Sequence, residues 1–132
     1  MTEDDMRREI AQGEDSSRQF KKDIRNAESL AAEMVAFANA RGGCMYVGVA
    51  RDGRVTGLDF SDVARINQLI STAAIQLVRS PLIVRTENVP IDSGGVVIVV
   101  TVPDGFDKPY FDPNGVIWLK SLSTNKGHDG QA

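Results

Sequence analysis

The sequence predicts an α+β fold in which helices are interspersed among the strands of a mixed β-sheet. Two segments place apolar residues at the spacing of an amphipathic helix, and several short apolar runs lie between turn residues. Some neighbouring strands are joined by tight turns and others by a helix, which predicts both antiparallel and parallel pairing.

The length of 132 residues suits one domain with one hydrophobic core. We expect a single domain over 1–132, comprising a core at about 13–123, an N-terminal helix within 1–12 and a polar tail at 124–132. Residues 121–132 lack apolar periodicity, and their composition predicts mobility.

The first half of the chain predicts two helices and a hairpin. Asn26 is a good N-cap, Gly42-Gly43 ends a helix, and Asp52-Gly53 suits a tight turn. The predicted elements are a mostly polar helix at 3–12, with Met6 and Ile10 as its apolar pair, a short strand at 17–24, a helix at 27–40, a buried strand at 44–49 and a returning strand at 55–58.

The second half predicts one helix and four strands. Ser61 can cap a helix at 62–79, which Pro81 ends. Strands are expected at 82–91, 96–102, 109–112 and 116–120, the last two paired around Pro113-Asn114-Gly115. Residues 96–102 are almost continuously apolar, which predicts a central strand buried on both faces.

The composition excludes several kinds of site. A single cysteine, Cys44, rules out an intramolecular disulfide and a cysteine-rich zinc site, and a single histidine, His128, rules out a histidine cluster. Gly42-Gly43 follows a helix and precedes a strand, which is the wrong order for a phosphate-binding loop. We therefore expect no cofactor, metal or catalytic residue, and Cys44 is interpreted as a small core residue.

The charge distribution leaves room for a basic surface. The net charge is −3, but residues 1–15 contribute −4 and the remainder +1. The sequence has no apolar run long enough to cross a bilayer and no signal peptide, so we expect a cytoplasmic protein with no membrane partner.

Six basic residues are candidates for contact with phosphate: Arg18, Lys21, Lys22, Arg41, Arg51 and Arg54. They would form one surface if the first strand, the end of the second helix and the hairpin converge. The alternative is an ordinary solvated face. Tyr110 and Phe111, beside Lys108, are candidates for stacking on a base, or else for anchoring the core.

Several motifs resemble those of the Schlafen AlbA-type domain. They are Gly13–Lys21 (GEDSSRQFK), 35–49 (VAFANARGGCMYVGV), 51–58 (RDGRVTGL), Val102-Pro103 and Lys108-Pro109-Tyr110. The resemblance covers about 13–123. It implies an α+β DNA-binding domain, typically the N-terminal module of a longer bacterial or archaeal transcriptional regulator. Most motif residues make the fold, and Asn39 is expected to tie its helix to the following turn.

The resemblance also bears on catalysis. A related domain pair in eukaryotic Schlafen proteins forms an RNA nuclease with three acids, which correspond by position to Glu14, Gln19 and Ala50 here. Because two of these three are not acidic, we predict a non-enzymatic nucleic-acid-binding domain, with DNA as the partner. The alternatives are a nuclease that uses Glu14, Asp15 and Asp52, and a protein-interaction module that forms a homo-oligomer.

Overall fold

The computed structural model describes residues 1–121 and 124–129, and it confirms the α+β fold class. The elements are α1 (Glu3–Ile10), β1 (Arg18–Lys21), α2 (Ala27–Asn39), β2 (Gly43–Val47), α3 (Phe60–Thr72), β3 (Arg85–Pro90), β4 (Val96–Val102), β5 (Val116–Ser121) and β6 (Thr124–Asp129). A π-helical turn, Ala73–Leu77, continues α3. Within the described part of the chain, every helix is too short or too polar to cross a bilayer.

Four strands form a mixed sheet in the order β1-β2-β4-β3. β1 and β2 are parallel, whereas β4 is antiparallel to both of its neighbours. All residues of β4 except Thr101 are buried, which confirms the predicted central strand. A separate antiparallel pair consists of β5 and β6.

Each face of the four-stranded sheet packs against helices. Alternate residues such as Met45 and Ile98 face a core formed with α2, α3 and the π-helical turn. The other residues, such as Tyr46 and Val99, face α1. From α1 only Met6 and Ile10 are buried, so two apolar side chains cover this second face.

The third helix differs from its prediction at both ends. It begins at Phe60, one residue before the predicted cap Ser61, and Asp59 is its N-cap. The α-helix ends at Thr72, and the chain becomes extended at Val78 after the π-helical turn. The backbone of Arg79 exchanges hydrogen bonds of 2.9 and 3.0 Å with that of Phe111, which is incompatible with helix at 79.

The predicted strands at 55–58 and 82–91 are wrong in extent. Residues 55–58 form isolated bridges, because the amides of Thr56 and Gly57 both donate to the Gly48 carbonyl and bend the segment. The amide of Leu82 donates to the Ala74 carbonyl at 2.9 Å, so residue 82 bonds back to the π-helical turn and not to a strand. Strand β3 begins only at Arg85.

The predicted pairing of 109–112 with 116–120 is limited to the turn itself, where the Asp112 amide donates to the Val116 carbonyl at 3.0 Å. Asp112 closes this turn, since its carboxylate accepts the amides of Asn114 and Val116 and the indole N–H of Trp118. The partner of β5 is β6, which lies in the segment predicted to be a mobile tail. Backbone hydrogen bonds hold this pair, and they require no apolar periodicity. Residues 122–123, at the end of the predicted core, and residues 130–132 of the predicted tail lie outside the described residues.

Two glycines with nearly the same positive φ provide a test of packing at the turn before β2. Gly42 has φ +77° and a Cβ there would lie 2.5 Å from the Val102 carbonyl oxygen, whereas Gly115 has φ +78° and open space around it. We expect Gly115→Ala to lower the free energy of unfolding by about 1–2 kcal/mol and Gly42→Ala by roughly 2 kcal/mol more. Urea unfolding followed by circular dichroism measures both, and equal losses would contradict the close approach at Gly42.

Candidate nucleic-acid interface

An open groove lies where the parallel strands β1 and β2 end. The carbonyl of Lys21 accepts the amides of Gly48 and Val49 at 2.7 and 3.1 Å, so the chain leaves β1 directly beside the segment that follows β2. The groove has a volume of about 430 Å³. Its lining residues are Glu14, Gln19, Phe20, Lys21, Lys22, Ala50 and Arg51.

The groove is positive although the chain as a whole is negative. Three cations and one carboxylate line it, which gives +2 against −3 for the chain. Lys22 is exposed and forms no ion pair with any described residue. The Arg51 side chain is 85% exposed, and its Nε lies 4.0 Å from Glu14 Oε1. Lys22 and Arg51 therefore present their charges to solvent.

The carboxylate of Glu14 has a structural role. Its side chain is 13% exposed, and Oε2 accepts the backbone amide of Phe20 at 3.0 Å. The neighbouring Asp15 accepts from the amide and hydroxyl of Ser17 and pairs with Arg18 at 2.8 Å. Burial opposes ionisation of Asp15, but these contacts outweigh it and lower its pKa. Asp15 thus holds the turn before β1 and pairs with Arg18.

A network of buried and half-buried polar side chains lies beneath the groove. Gln19 donates to Glu33 Oε1 at 2.8 Å and accepts from Lys120 Nζ at 2.9 Å, and Lys21 also pairs with Glu33. Lys120 Nζ lies 4.6 Å from the centre of the Phe37 ring. Burial lowers the pKa of Lys120, although the nearby carboxylates of Glu33 and Glu14 oppose this. This network of side chains links β1, α2 and β5.

Sequence reasoning missed Glu33 and Lys120. Glu33 stands among Leu30, Met34 and Phe37 on a helix whose buried residues are otherwise apolar, and this was the available signal. Lys120 at the end of an apolar strand gave none.

Arg18 lies on the opposite face of the sheet from the groove. Side chains alternate along β1, so Arg18 and Phe20 point towards α1, whereas Gln19 and Lys21 point towards α2. Arg18 is 18% exposed and contacts Gln12, Asp15 and Glu9. It therefore anchors α1 to the sheet.

The remaining two cationic candidates lie outside the groove. Arg54 is on the hairpin next to Arg51, with its guanidinium 2.9 Å from Asp52. Arg41 precedes β2, whereas Arg51 follows it, so the five-residue strand places them at its opposite ends. The structure thus brings Lys21, Lys22 and Arg51 together and leaves Arg41 apart. Contact of any of the six candidates with phosphate stays a prediction.

The two aromatic candidates are part of the interior. Tyr110 is 4% exposed and belongs to the core, so its ring is not free for stacking, whereas Phe111 is half-buried. Asn39 holds this segment: Oδ1 accepts the Tyr110 amide at 2.6 Å, and Nδ2 donates to the carbonyls of Tyr110 and Trp118 at 3.1 Å. Asn39 therefore ties α2 to the segments around 110 and 118, not to its following turn as predicted.

The three carboxylates of the nuclease alternative serve separate local structures. Glu14 and Asp15 make the contacts given above, and Asp52 accepts the amide and guanidinium of Arg54 in the hairpin. Across 1–121 and 124–129, no three His, Cys, Asp or Glu side chains lie close enough together to hold a metal ion.

Comparison with known proteins identifies the family. Residues 14–128 match the family described as Schlafen, AlbA_2. The chain belongs to the Schlafen AlbA_2 family. No curated protein matches it.

Two solved structures are similar to this AlbA_2 chain. The solution structure of the N-terminal domain of a RecG-related protein from Nitrosomonas europaea has a TM-score of 0.62 at 20% identity, over 86% of this chain and 81% of that one. The crystal structure of the DIP2311 protein from Corynebacterium diphtheriae has a TM-score of 0.58 at 22% identity. That match covers 86% of this chain but only 22% of DIP2311. These similarities show a shared AlbA_2 fold.

The Asn39 contacts predict a pH-dependent loss of stability in this AlbA_2 domain. Asn39→Asp replaces the donor that faces two carbonyl oxygens by a carboxylate, and we expect roughly 2–3 kcal/mol of destabilisation at neutral pH. We expect the two carbonyls to raise the pKa of the new carboxyl in the folded state, because they outnumber the one donor, the Tyr110 amide, that favours the charged form. The deficit should therefore shrink below the unfolded-state pKa, where the group is protonated and can donate, and grow as pH rises.

Urea unfolding of Asn39→Asp across acidic to neutral pH measures this deficit. Asn114→Asp is the matched control, because the Asn114 side chain is exposed. A deficit for Asn39→Asp that does not depend on pH, or that the control shares, would contradict the role given to the Asn39 amide.

Proposed function

We propose that this chain is a nucleic-acid-binding domain, without metal-dependent nuclease activity of its own, that binds phosphates in the groove at the ends of β1 and β2. The observation that supports this best is the local charge. Lys21, Lys22 and Arg51 meet in one open groove on a chain that is otherwise acidic. Phosphate contacts by basic side chains supply most of sequence-independent nucleic-acid binding.

Lys22 and Arg51 carry the first contacts in this proposal. Neither has a close ion pair to break, because Lys22 has no partner among the described residues and Arg51 lies 4.0 Å from its nearest carboxylate. Lys21 must exchange Glu33 for a phosphate, so its net contribution is smaller. Binding through so few cations is weak, and its salt dependence is shallow.

We propose DNA as the nucleic acid. The RecG-related protein whose N-terminal domain resembles this chain is named as related to ATP-dependent DNA helicases, and that name supports this choice. We further propose that this domain works as one module of a transcriptional regulator, which is the kind of protein that the family resemblance implies.

Reversing the groove charges tests the interface. We expect Lys22→Glu/Arg51→Glu to weaken binding of labelled double-stranded DNA at least about tenfold at low salt. The slope of log affinity against log salt should fall by roughly two, at about 0.9 per phosphate contact. Fluorescence anisotropy at several salt concentrations measures both quantities.

The matched control is Arg41→Glu/Arg79→Glu, which changes the net charge equally at exposed positions outside the groove. The groove variant should lose more affinity and more slope than the control. Equal effects of the two variants would mean that net charge, and not this groove, governs binding.

The absence of nuclease activity is tested separately. Hydrolysis assisted by two metal ions needs several carboxylates, whereas Glu14 is a single carboxylate in this groove, and its Oε2 already accepts the Phe20 amide. We expect labelled RNA and DNA to stay intact with Mg²⁺ or Mn²⁺ on a denaturing gel. Metal-dependent cleavage that Glu14→Gln abolishes would overturn this part of the proposal.

A further inference from the structure

Strand β3 is an edge strand with an open side. In the sheet order β1-β2-β4-β3 it pairs with β4 alone, and no other described strand borders it. All of its side chains except Val89 are exposed. An edge of six residues with unpaired amides and carbonyls is a template for another strand.

The hydrogen bonds of Val96 show which backbone groups face the open side. Its amide donates to the Leu58 carbonyl at 2.9 Å, and its carbonyl accepts from the Leu58 amide at 2.7 Å. Both groups thus point away from Pro90, the residue that pairs with Val96 on β3. Pro90 and Val96 are therefore a pair without hydrogen bonds between them. Because hydrogen-bonded and non-hydrogen-bonded pairs alternate along an antiparallel ladder, the residues at 86, 88 and 90 direct their backbone groups to the open side.

We propose that β3 pairs antiparallel with β3 of a second copy of this chain, around a two-fold axis at Thr86. In this register the outward amide and carbonyl of Thr86 meet those of Thr86 in the second copy, and both hydrogen bonds of the central pair can form. Asn88 likewise faces residue 84 of the second copy. The two four-stranded sheets then form one continuous sheet of eight strands.

Charge complementarity identifies a second copy as the occupant and fixes the register. Arg85 and Glu87 project from the same face of β3, towards the side that carries α1 and Val89. With the axis at Thr86, each Arg85 stands opposite the Glu87 of the other copy, twice per dimer. An axis at Glu87 would oppose two like charges, and an axis at Asn88 would set Pro90, which has no N–H, opposite Thr86.

Apolar surface beside the edge supports the same interface. Ile75 is 54% and Ile83 is 85% exposed, and both line a groove between α3 and β3 together with Thr86. Glu87 Oε2 already pairs with the N-terminal ammonium of Met1, which leaves Oε1 for Arg85 of the second copy. The interface is on the opposite edge of the sheet from the phosphate groove, so it does not depend on nucleic-acid binding.

Sedimentation equilibrium of the full chain, without nucleic acid, tests the proposal. We expect a concentration-dependent dimer that Arg85→Glu and Glu87→Arg each weaken at least about tenfold, because each creates two like-charge pairs. The double variant Arg85→Glu/Glu87→Arg restores opposite charges and should regain most of the affinity. Only a direct contact between these two positions in different copies predicts this rescue.

A backbone variant keeps the test decisive if charge effects are small. Thr86→Pro removes an amide that points to the open side, so it blocks pairing with a second copy but spares the ladder with β4, as Pro90 already does. Circular dichroism checks that the variant stays folded. A chain that is monomeric at every concentration reached, or a dimer indifferent to both the charge and the proline variants, would overturn the proposal.

Discussion

The parallel pairing of β1 and β2 is the constraint on which the rest of the structure depends. Parallel neighbours cannot be joined by a tight turn, so the chain must cross over between them, and α2 makes that crossing. Asn26 starts the crossing by accepting the first amides of α2, and Gly42 ends it where a side chain would strike the Val102 carbonyl. The same pairing sets the ends of β1 and β2 side by side, which creates the groove.

The electrostatics of the groove follow from competition between internal and external partners. Most described cations of this chain are already paired with carboxylates, and these include Arg18, Lys21, Arg54 and Arg65. A phosphate gains little from a cation that must first leave a carboxylate, because the lost contact offsets the new one. Counting basic residues therefore overstates a binding surface, and the unpaired charges define it better. Gln19 connects this surface to the interior through Glu33 and Lys120, so changes in the groove also act on packing.

Local signals in the sequence predicted the parts of the fold that depend on local physics. The cap at Asn26, the apolar period of α2 and the continuous apolar run of β4 each reflect burial or capping of the residues concerned, and all three predictions are confirmed. The pairing of β5 with β6 could not be predicted in this way, since the polar residues of β6 give no periodic signal. In the site, Lys21 and Lys22 are neighbours in the sequence at the end of β1, so their proximity could be predicted. The separation of Arg41 from Arg51 follows from the strand that lies between them, so the sequence already contained the signal that these two side chains cannot share one surface.

The thin covering of the second sheet face by α1 has a consequence for the order in which the domain unfolds. Burial of Met6 and Ile10 stabilises the docking of α1 by only about 3–6 kcal/mol before the entropy of ordering the segment is subtracted. This is less than the usual free energy of unfolding of a complete domain, so α1 should open as a separate unit while the sheet stays intact. Opening would expose the apolar face around Phe20, Tyr46 and Val99 and would release Arg18 from Glu9 and Gln12. The hairpin that carries Arg51 approaches Ile10 through Gly53, so the undocked helix would also loosen one wall of the groove.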